Sequence, residues 1–334
     1  MHRPYHGVMS VLSAPSRIAE RLFQKEKLDG DTRFLDPKVL SKITNVEMIA
    51  RFIVEGFLLG LHKSPYHGFS SEFNAYRKYS KGDPFKFIDW KVVAKTDRLY
   101  IKQFDDNTNT RCFLLLDASG SMNFGGEESQ VEGVKSAGIQ KWLYARNLAA
   151  AFAYLLIRQG DAPGLAVFRD GPPEVLPPRG GNNHLHALYT VLSRVQPEKP
   201  SDASKGLSGL PERLSRRGLV ILISDMFDDT EKLIEALKGF RLRRHEVMVF
   251  QILTPEERKF PYRDNLEFVD AENGQILSAQ GSYIVDGYLK ALDEHQQTLK
   301  TYCRQNDIDW IELSTDELLS TALLAFLNKR QRMR

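Results

Sequence analysis

A carboxylate and two hydroxyls, Asp117, Ser119 and Ser121, leave the end of an unbroken apolar run, Phe113-Leu114-Leu115-Leu116. All three are hard oxygen donors, and three on one tight loop form part of an octahedral site suited to Mg²⁺ or Mn²⁺. A second apolar run, Val220-Ile221-Leu222-Ile223-Ser224, ends in Asp225. Two strands of one parallel sheet that each deliver an aspartate at the carboxyl end can place both on one ion. Ser119 and Ser121 then ligate through hydroxyls, while Asp117 and Asp225 hold the ion directly or through water. Two carboxylates neutralise a divalent cation and leave a coordination position open. An Asp or Glu of a client protein can fill it, which gives metal-bridged binding with no bond broken.

Other chemistries fit the residues less well. Asp and Ser also favour helix caps and turns, so the loop could simply lead into a helix. A metal-dependent phosphohydrolase built on Asp117 and Asp225 is the enzymatic alternative. Phosphatases with a strand-end nucleophile of the haloacid dehalogenase type carry a second acid two residues on, where this chain has Ser119. No Gly-x-Ser-x-Gly elbow, Walker-loop lysine or H-E-x-x-H is present. His184 and His186 on a helix point their rings to divergent faces, and they read, like His62 and His67, as surface or cap histidines.

The elements that must position the two aspartates are legible as alternating strands and helices from Arg111 onward, the pattern of a parallel sheet with helices on both faces. Strands are predicted at Cys112–Leu116, Leu165–Phe168, Leu219–Ser224, Glu246–Leu253 and Ile308–Leu313. Helices are predicted at Lys141–Gln159, His184–Val195, Thr230–Phe240, Tyr283–Gln305 and Thr315–Asn328. Asn273-Gly274 marks a hairpin turn. Residues 1–37 show no steady period and read as a loosely structured extension. Residues 38–110 read as a separate region, a helix over Val39–Leu61 followed by a small β-rich part. There Phe73, Tyr79, Phe87 and Trp90 alternate with charges, as in an antiparallel sheet with one wet face. Residues 111–334 form the α/β domain.

Composition bounds the partners. With 46 Lys and Arg against 43 Asp and Glu in 334 residues, the net charge of +3 is too balanced to argue for nucleic acid. Cys112 and Cys303 lie far apart without a C-x-x-C, so neither a disulfide framework nor a thiolate metal site is expected. No segment reaches the roughly 18 apolar residues that a membrane helix needs, and the start lacks an apolar leader core. A soluble, cytoplasmic protein is the expectation.

The D-x-S-x-S loop resembles the metal-ion-dependent adhesion site of von Willebrand factor A domains. In those domains a loop after a Gly-Gly pair usually supplies a threonine hydroxyl. Here Asn182 stands after Gly180-Gly181, with Asn183 as the other choice, and its amide oxygen can ligate a hard cation. A wider set of motifs reads Gly56-x-x-x-Gly60-x-His62-x-Ser64-Pro65-x-x-Gly68, Glu72-Phe73-x-x-x-Arg77-x-Tyr79-x-x-Gly82-Asp83, Ile88-Asp89-Trp90-Lys91 and Asp117-x-Ser119-x-Ser121-Met122. Together these are similar to the bacterial family called domain of unknown function 58, over roughly residues 38–240. The chain departs from that pattern at Asp83-Pro84 and at Lys95. The resemblance implies a von Willebrand factor A-like, Rossmann-like open sheet and a non-catalytic protein-binding module. It also implies a MoxR-type AAA+ ATPase as partner in a chaperone-like or assembly system.

Overall fold

The structure, a computed structural model, describes residues 36–63, 75–79, 98–103, 110–126, 138–169, 171–197, 203–214, 216–269 and 275–333. A short turn, α1 (Pro37–Leu40), precedes the long helix α2 (Val46–Lys63). The predicted single helix over Val39–Leu61 is therefore broken. Asn45 Oδ1 accepts the Met48 backbone N–H at 3.0 Å and caps α2, a role that suits Asn better than a helix interior does. A two-stranded antiparallel ribbon follows, β1 (Ala75–Lys78) with β2 (Tyr100–Gln103), in which Ala75 pairs with Gln103. Phe73, Phe87 and Trp90 lie outside the described residues.

The central sheet has six strands. They are β3 (Arg111–Asp117), β4 (Ala162–Phe168), β5 (Glu174–Leu176), β6 (Leu219–Ser224), β7 (Glu246–Leu253) and β10 (Asp309–Ser314), in the spatial order β10-β7-β6-β3-β4-β5. All pairs are parallel except β4 with β5. The four inner strands read as continuous apolar runs because both of their faces are covered. Phe113 and Leu115 join Val220, Leu222, Val247 and Val249 in one core, under the helices α5 (Ala203–Ser208), α6 (Leu210–Arg213) and α7 (Thr230–Leu242) and the end of α9 (Gly281–Gln305). Cys112, Leu114 and Leu116 join Ile221, Ile223, Met248 and Phe250 in the other.

That second core lies under α3 (Lys141–Arg158), α4 (Asn182–Arg194) and α10 (Ser320–Met333). Helix α3 is apolar nearly all round, as a helix buried on every side must be. Its outer side is covered by α2, whose Ile49, Ile53 and Phe57 enter the same core, and Tyr154 Oη donates to Glu55 Oε1 at 2.9 Å. The remaining elements are the short α8 (Pro255–Lys259) and a hairpin of β8 (Asn265–Val269) and β9 (Ile276–Gln280), whose Asn273-Gly274 turn lies outside the described residues. Helix α10 begins at Ser320 rather than Thr315, because the intervening residues first make a turn in which the Glu317 N–H reaches Ser314 O at 2.9 Å. Among the described residues, no helix is long and apolar enough to cross a membrane.

Two crossovers leave β3 and β6 in opposite directions: β3 passes through α3 to β4, and β6 through α7 to β7. The carboxyl ends of β3 and β6 thus form a topological switch point, where such sheets bind ligands in a crevice. If α2 is an integral layer, Ile53→Ala, at 1% exposure, should cost about 2–5 kcal/mol in urea unfolding. Its neighbour Phe52, at 47% exposure, should tolerate Ala within about 0.5 kcal/mol. Equal and small effects at both positions would show that α2 is not part of the core.

Candidate functional site

Asp117 is the last residue of β3 and Asp225 follows the last residue of β6, and both are buried at 1% exposure. The register that pairs Leu116 with Ile223 sets the two strand ends level. A carboxylate so placed has lost most of its water, so its remaining hydrogen bonds decide whether it can stay charged. Asp117 Oδ1 accepts the Ser119 backbone N–H at 2.8 Å, and Oδ2 accepts the Ser224 hydroxyl at 2.6 Å. Burial first, then repulsion from Asp225, push the Asp117 carboxyl up to about 7, and the hydrogen bonds from Ser224 and Ser119 pull only partly against them. Ser119 Oγ lies 3.0 Å from Ser121 Oγ.

Asp225 is held differently. Its Oδ1 accepts the Phe227 backbone N–H at 3.1 Å, which the left-handed turn at Met226 (φ 60°) makes reachable. Such a φ is uncommon outside glycine and is maintained here from three sides. Ser224 Oγ accepts the Met226 N–H at 2.9 Å. His295 Nε2, on α9, donates to Met226 O at 2.8 Å, and Thr230 Oγ1 meets the other ring nitrogen at 2.8 Å. Gln251 Nε2 donates to Asp225 O at 3.1 Å.

The decisive neighbour is one that the sequence reading passed over. Lys141, the first residue of α3, is fully buried. Its Nζ donates to Asp225 Oδ2 at 2.7 Å and to Glu257 Oε1 at 2.6 Å. Burial alone pulls the ammonium down, yet Asp225 and Glu257 together hold it above the ordinary lysine range. The rings of Phe227 and Phe124 stand over it, with centroids 5.0 and 5.8 Å away. Glu257 closes the group through a capping box: its Oε2 accepts the Thr254 N–H at 2.8 Å, and its own N–H reaches Thr254 Oγ1 at 3.1 Å. Gly125 (φ 101°) lets the loop from Ser121 pass here, since a Cβ would stand 2.7 Å from Thr254 Cγ2.

A lysine at a helix N-terminus opposes the helix dipole, so it persists there only with strong anionic partners. That is the signal by which Lys141 could have been found. Thr254-Pro255-x-Glu257 carries a second signal, the spacing of a capping box with Pro at the first helical position.

The structure does not bring Asn182 to this group. After β4 the chain reverses into β5, whose Leu176 pairs with Leu165, and so returns to the amino end of the sheet before Gly180. There the Arg179 N–H reaches Pro163 O at 3.3 Å and His184 Nε2 meets the same carbonyl at 2.8 Å, while Asp117 pairs with Phe168 at the far end of β4. Asn182 and Asn183 therefore start α4 at the wrong end for the ion. The short β5 between Pro172-Pro173 and Pro177-Pro178 gave no readable period, so the reversal was invisible. What arrives beside β4's carboxyl end is α5, where a Cβ on Gly206 would stand 2.3 Å from Arg169 O.

Among the described residues, no three His, Cys, Asp or Glu cluster as metal ligands, so a cation here would depend on hydroxyls. The donor set fits one. Lys141 is shared between Asp225 and Glu257, so one cation stands among three carboxyl groups and a divalent ion would add the missing positive charge beside Asp117. The 3.0 Å between the serine hydroxyls also suits adjacent ligands of a Mg²⁺ ion with bonds of about 2.0–2.1 Å.

Known proteins place the chain in a family. It belongs to the family described as "Protein of unknown function DUF58", which matches residues 75–298. It is 24% identical over 304 residues to uncharacterized proteins of Mycobacterium tuberculosis and Mycobacterium bovis, covering 89% of this chain and 91% of theirs. Solved structures similar to it include the conserved hypothetical protein BatB from Bacteroides thetaiotaomicron, with 15% identity, TM-score 0.42, 67% of this chain and 99% of that one. The VWA domain of SpRpn10 shows 13% identity and a TM-score of 0.38, over 65% of this chain and 94% of that one. The fold class is that of an open, mostly parallel sheet with helices on both faces.

Two variants separate the forces at the site. Lys141→Met leaves Asp225 and Glu257 buried together without a cation, and should cost about 3–5 kcal/mol in urea unfolding. Asp117→Asn should do the opposite above neutrality. The Asp117 carboxyl sits near 7 in the folded chain against 3.8 ordinarily, so folding favours its protonated form. The stability this contributes is present below pH 3.8 and lost as pH rises through 7. In EDTA at pH 8, Asp117→Asn should therefore melt about 2 °C or more above wild type, and the gap should close towards pH 5. A variant less stable than wild type at pH 8 would mean that Ser224 and the Ser119 N–H outweigh burial and repulsion.

Proposed function

We propose that this chain is a non-catalytic protein-binding module whose docking face is the carboxyl-end crevice between β3 and β6. The observation that carries the reading is the pair of buried aspartates at the switch point: Lys141 pairs with Asp225, and among the described residues no cation pairs with Asp117. Asp117, Ser119 and Ser121 would hold Mg²⁺ or Mn²⁺, with Asp225 adding charge beside them. Bound there, the ion supplies a Lewis-acidic position for an Asp or Glu of a client protein. Ser224 orients the Asp117 carboxylate, while Lys141 fixes the Asp225 carboxylate in place. Phe124 and Phe227 exclude water from the ammonium.

The phosphohydrolase alternative draws less support from the same geometry. Asp117 as a nucleophile would have to attack from a carboxyl whose burial favours the protonated form, and Asp225 is engaged by Lys141 and the Phe227 N–H. His295 spends Nε2 on Met226 O and meets Thr230 through Nδ1, so it is no free general base for the crevice. The MoxR-type AAA+ ATPase enters as the partner that the family resemblance implies, in a chaperone-like or assembly role within the cytoplasm.

Calorimetry tests the ion. Wild type should take up one Mg²⁺ or Mn²⁺ weakly, whereas Asp117→Ala and Ser119→Ala/Ser121→Ala should give no heat at millimolar ion. Equal heats from all three, or none from wild type, would remove the ion from the account. Capture of a MoxR-type ATPase should require the ion and fail with Asp117→Ala. Turnover of phosphate esters with Mn²⁺, abolished by Asp117→Asn in a folded protein, would favour the enzyme instead.

A further inference from the structure

At the opposite end of the sheet lies a cavity of about 530 Å³ that the docking reading does not use. Its wall is built from the amino ends of four strands, β3, β4, β6 and β7, and from two loops. Arg111 opens β3, Arg179 and Gly180 precede α4, and Arg217 and Gly218 precede β6, with Glu246 at the start of β7. Three arginines from three separate segments thus line one concavity. Among the described residues, Arg217 reaches an acid, Glu246, at 3.4 Å, and no ion pair engages Arg111 or Arg179. Asp161, which accepts the N–H of the lining residue Thr110, is engaged by Arg330.

The backbone keeps this space open. The Arg111–Ala162 and Cys112–Leu219 pairings hold the strand ends side by side. A Cβ on Gly218 would strike Arg111 O at 2.5 Å, so only glycine lets that loop lie against the strand. A Cβ on Gly180 would meet nothing within 4 Å, so the other wall is bare main chain facing free volume.

Among the described lining residues, three arginines stand against one glutamate, an excess of two positive charges. Guanidinium forks match phosphate oxygens two at a time and bind them more specifically than a point charge does. A volume of this size accommodates a small organic ligand rather than a protein surface. We propose that the amino-end cavity binds a phosphate-bearing small molecule of nucleotide size through Arg111, Arg179 and Arg217. Glu246 then serves as acceptor for a hydroxyl or N–H of the same molecule. This site is separate from the crevice and needs no divalent ion.

The test titrates ATP and inorganic pyrophosphate into the full chain in EDTA, with an oligoglutamate peptide as a second anion source. ATP should bind saturably. Arg179→Ala/Arg217→Ala, both on exposed loop positions, should weaken it at least about tenfold. Asp117→Ala should leave it unchanged. Absence of saturable ATP binding to wild type would overturn the proposal, as would equal affinity in the arginine double variant. Binding of the peptide in preference to ATP would make the cavity a protein-docking surface and overturn it equally. Binding that appears only with Mg²⁺ and disappears in Asp117→Ala would assign the nucleotide to the crevice.

Discussion

The buried ammonium of Lys141 is the interaction on which the carboxyl-end crevice depends. It stands between Asp225 and Glu257 with almost no access to water, so its attraction to each is far stronger than on a surface. It ties three segments that are distant in the chain: the start of α3, the end of β6 and the turn after β7. Its presence also settles the charge balance. Asp225 is paired with Lys141, whereas burial and repulsion from Asp225 drive Asp117 towards its protonated form. A divalent ion would supply to Asp117 what Lys141 supplies to Asp225. The two adjacent aspartates are thus treated unequally.

The sheet explains why the two carboxylates meet at all. β3 and β6 are neighbours in space although about a hundred residues apart in sequence, and their crossovers depart to opposite sides. The strand-end groups therefore lie at the switch point between the two crossovers. Ser224 and the left-handed Met226 then fine-tune the approach: one hydroxyl both donates to Asp117 and accepts from the bent backbone that presents Asp225. Strain at Met226 is compatible with a stable fold because α9 braces it through His295, so the long terminal helix is part of the site's support.

Much of this was legible in the residues. The inner strands announce themselves as Val, Ile and Leu runs because both of their faces are buried, and Glu246–Leu253 was readable end to end for that reason. Asp117 and Asp225 could be placed together because strand-end position and parallel pairing follow from the same pattern. The errors have physical causes. β5 is three residues long and framed by prolines, too short for a period, and missing its reversal sent Asn182 to the wrong end of the sheet. The α2 layer was seen as a helix, but nothing local says that its partner is α3 rather than solvent; only the all-round apolarity of α3 hints at a second cover. Lys141 was hidden because a lysine at a helix start looks like a solvated charge. Its partners lie 84 and 116 residues away, and only tertiary structure can supply them.

The most direct measurement is anomalous diffraction from crystals grown with Mn²⁺, collected at the manganese edge. The account predicts one strong peak in the crevice within bonding distance of Asp117, Ser119 and Ser121, with Asp225 beside it and Lys141 still paired to Glu257. A crevice with no peak, or an ion bound elsewhere while Asp117 keeps only Ser224 and the Ser119 N–H as partners, would contradict it.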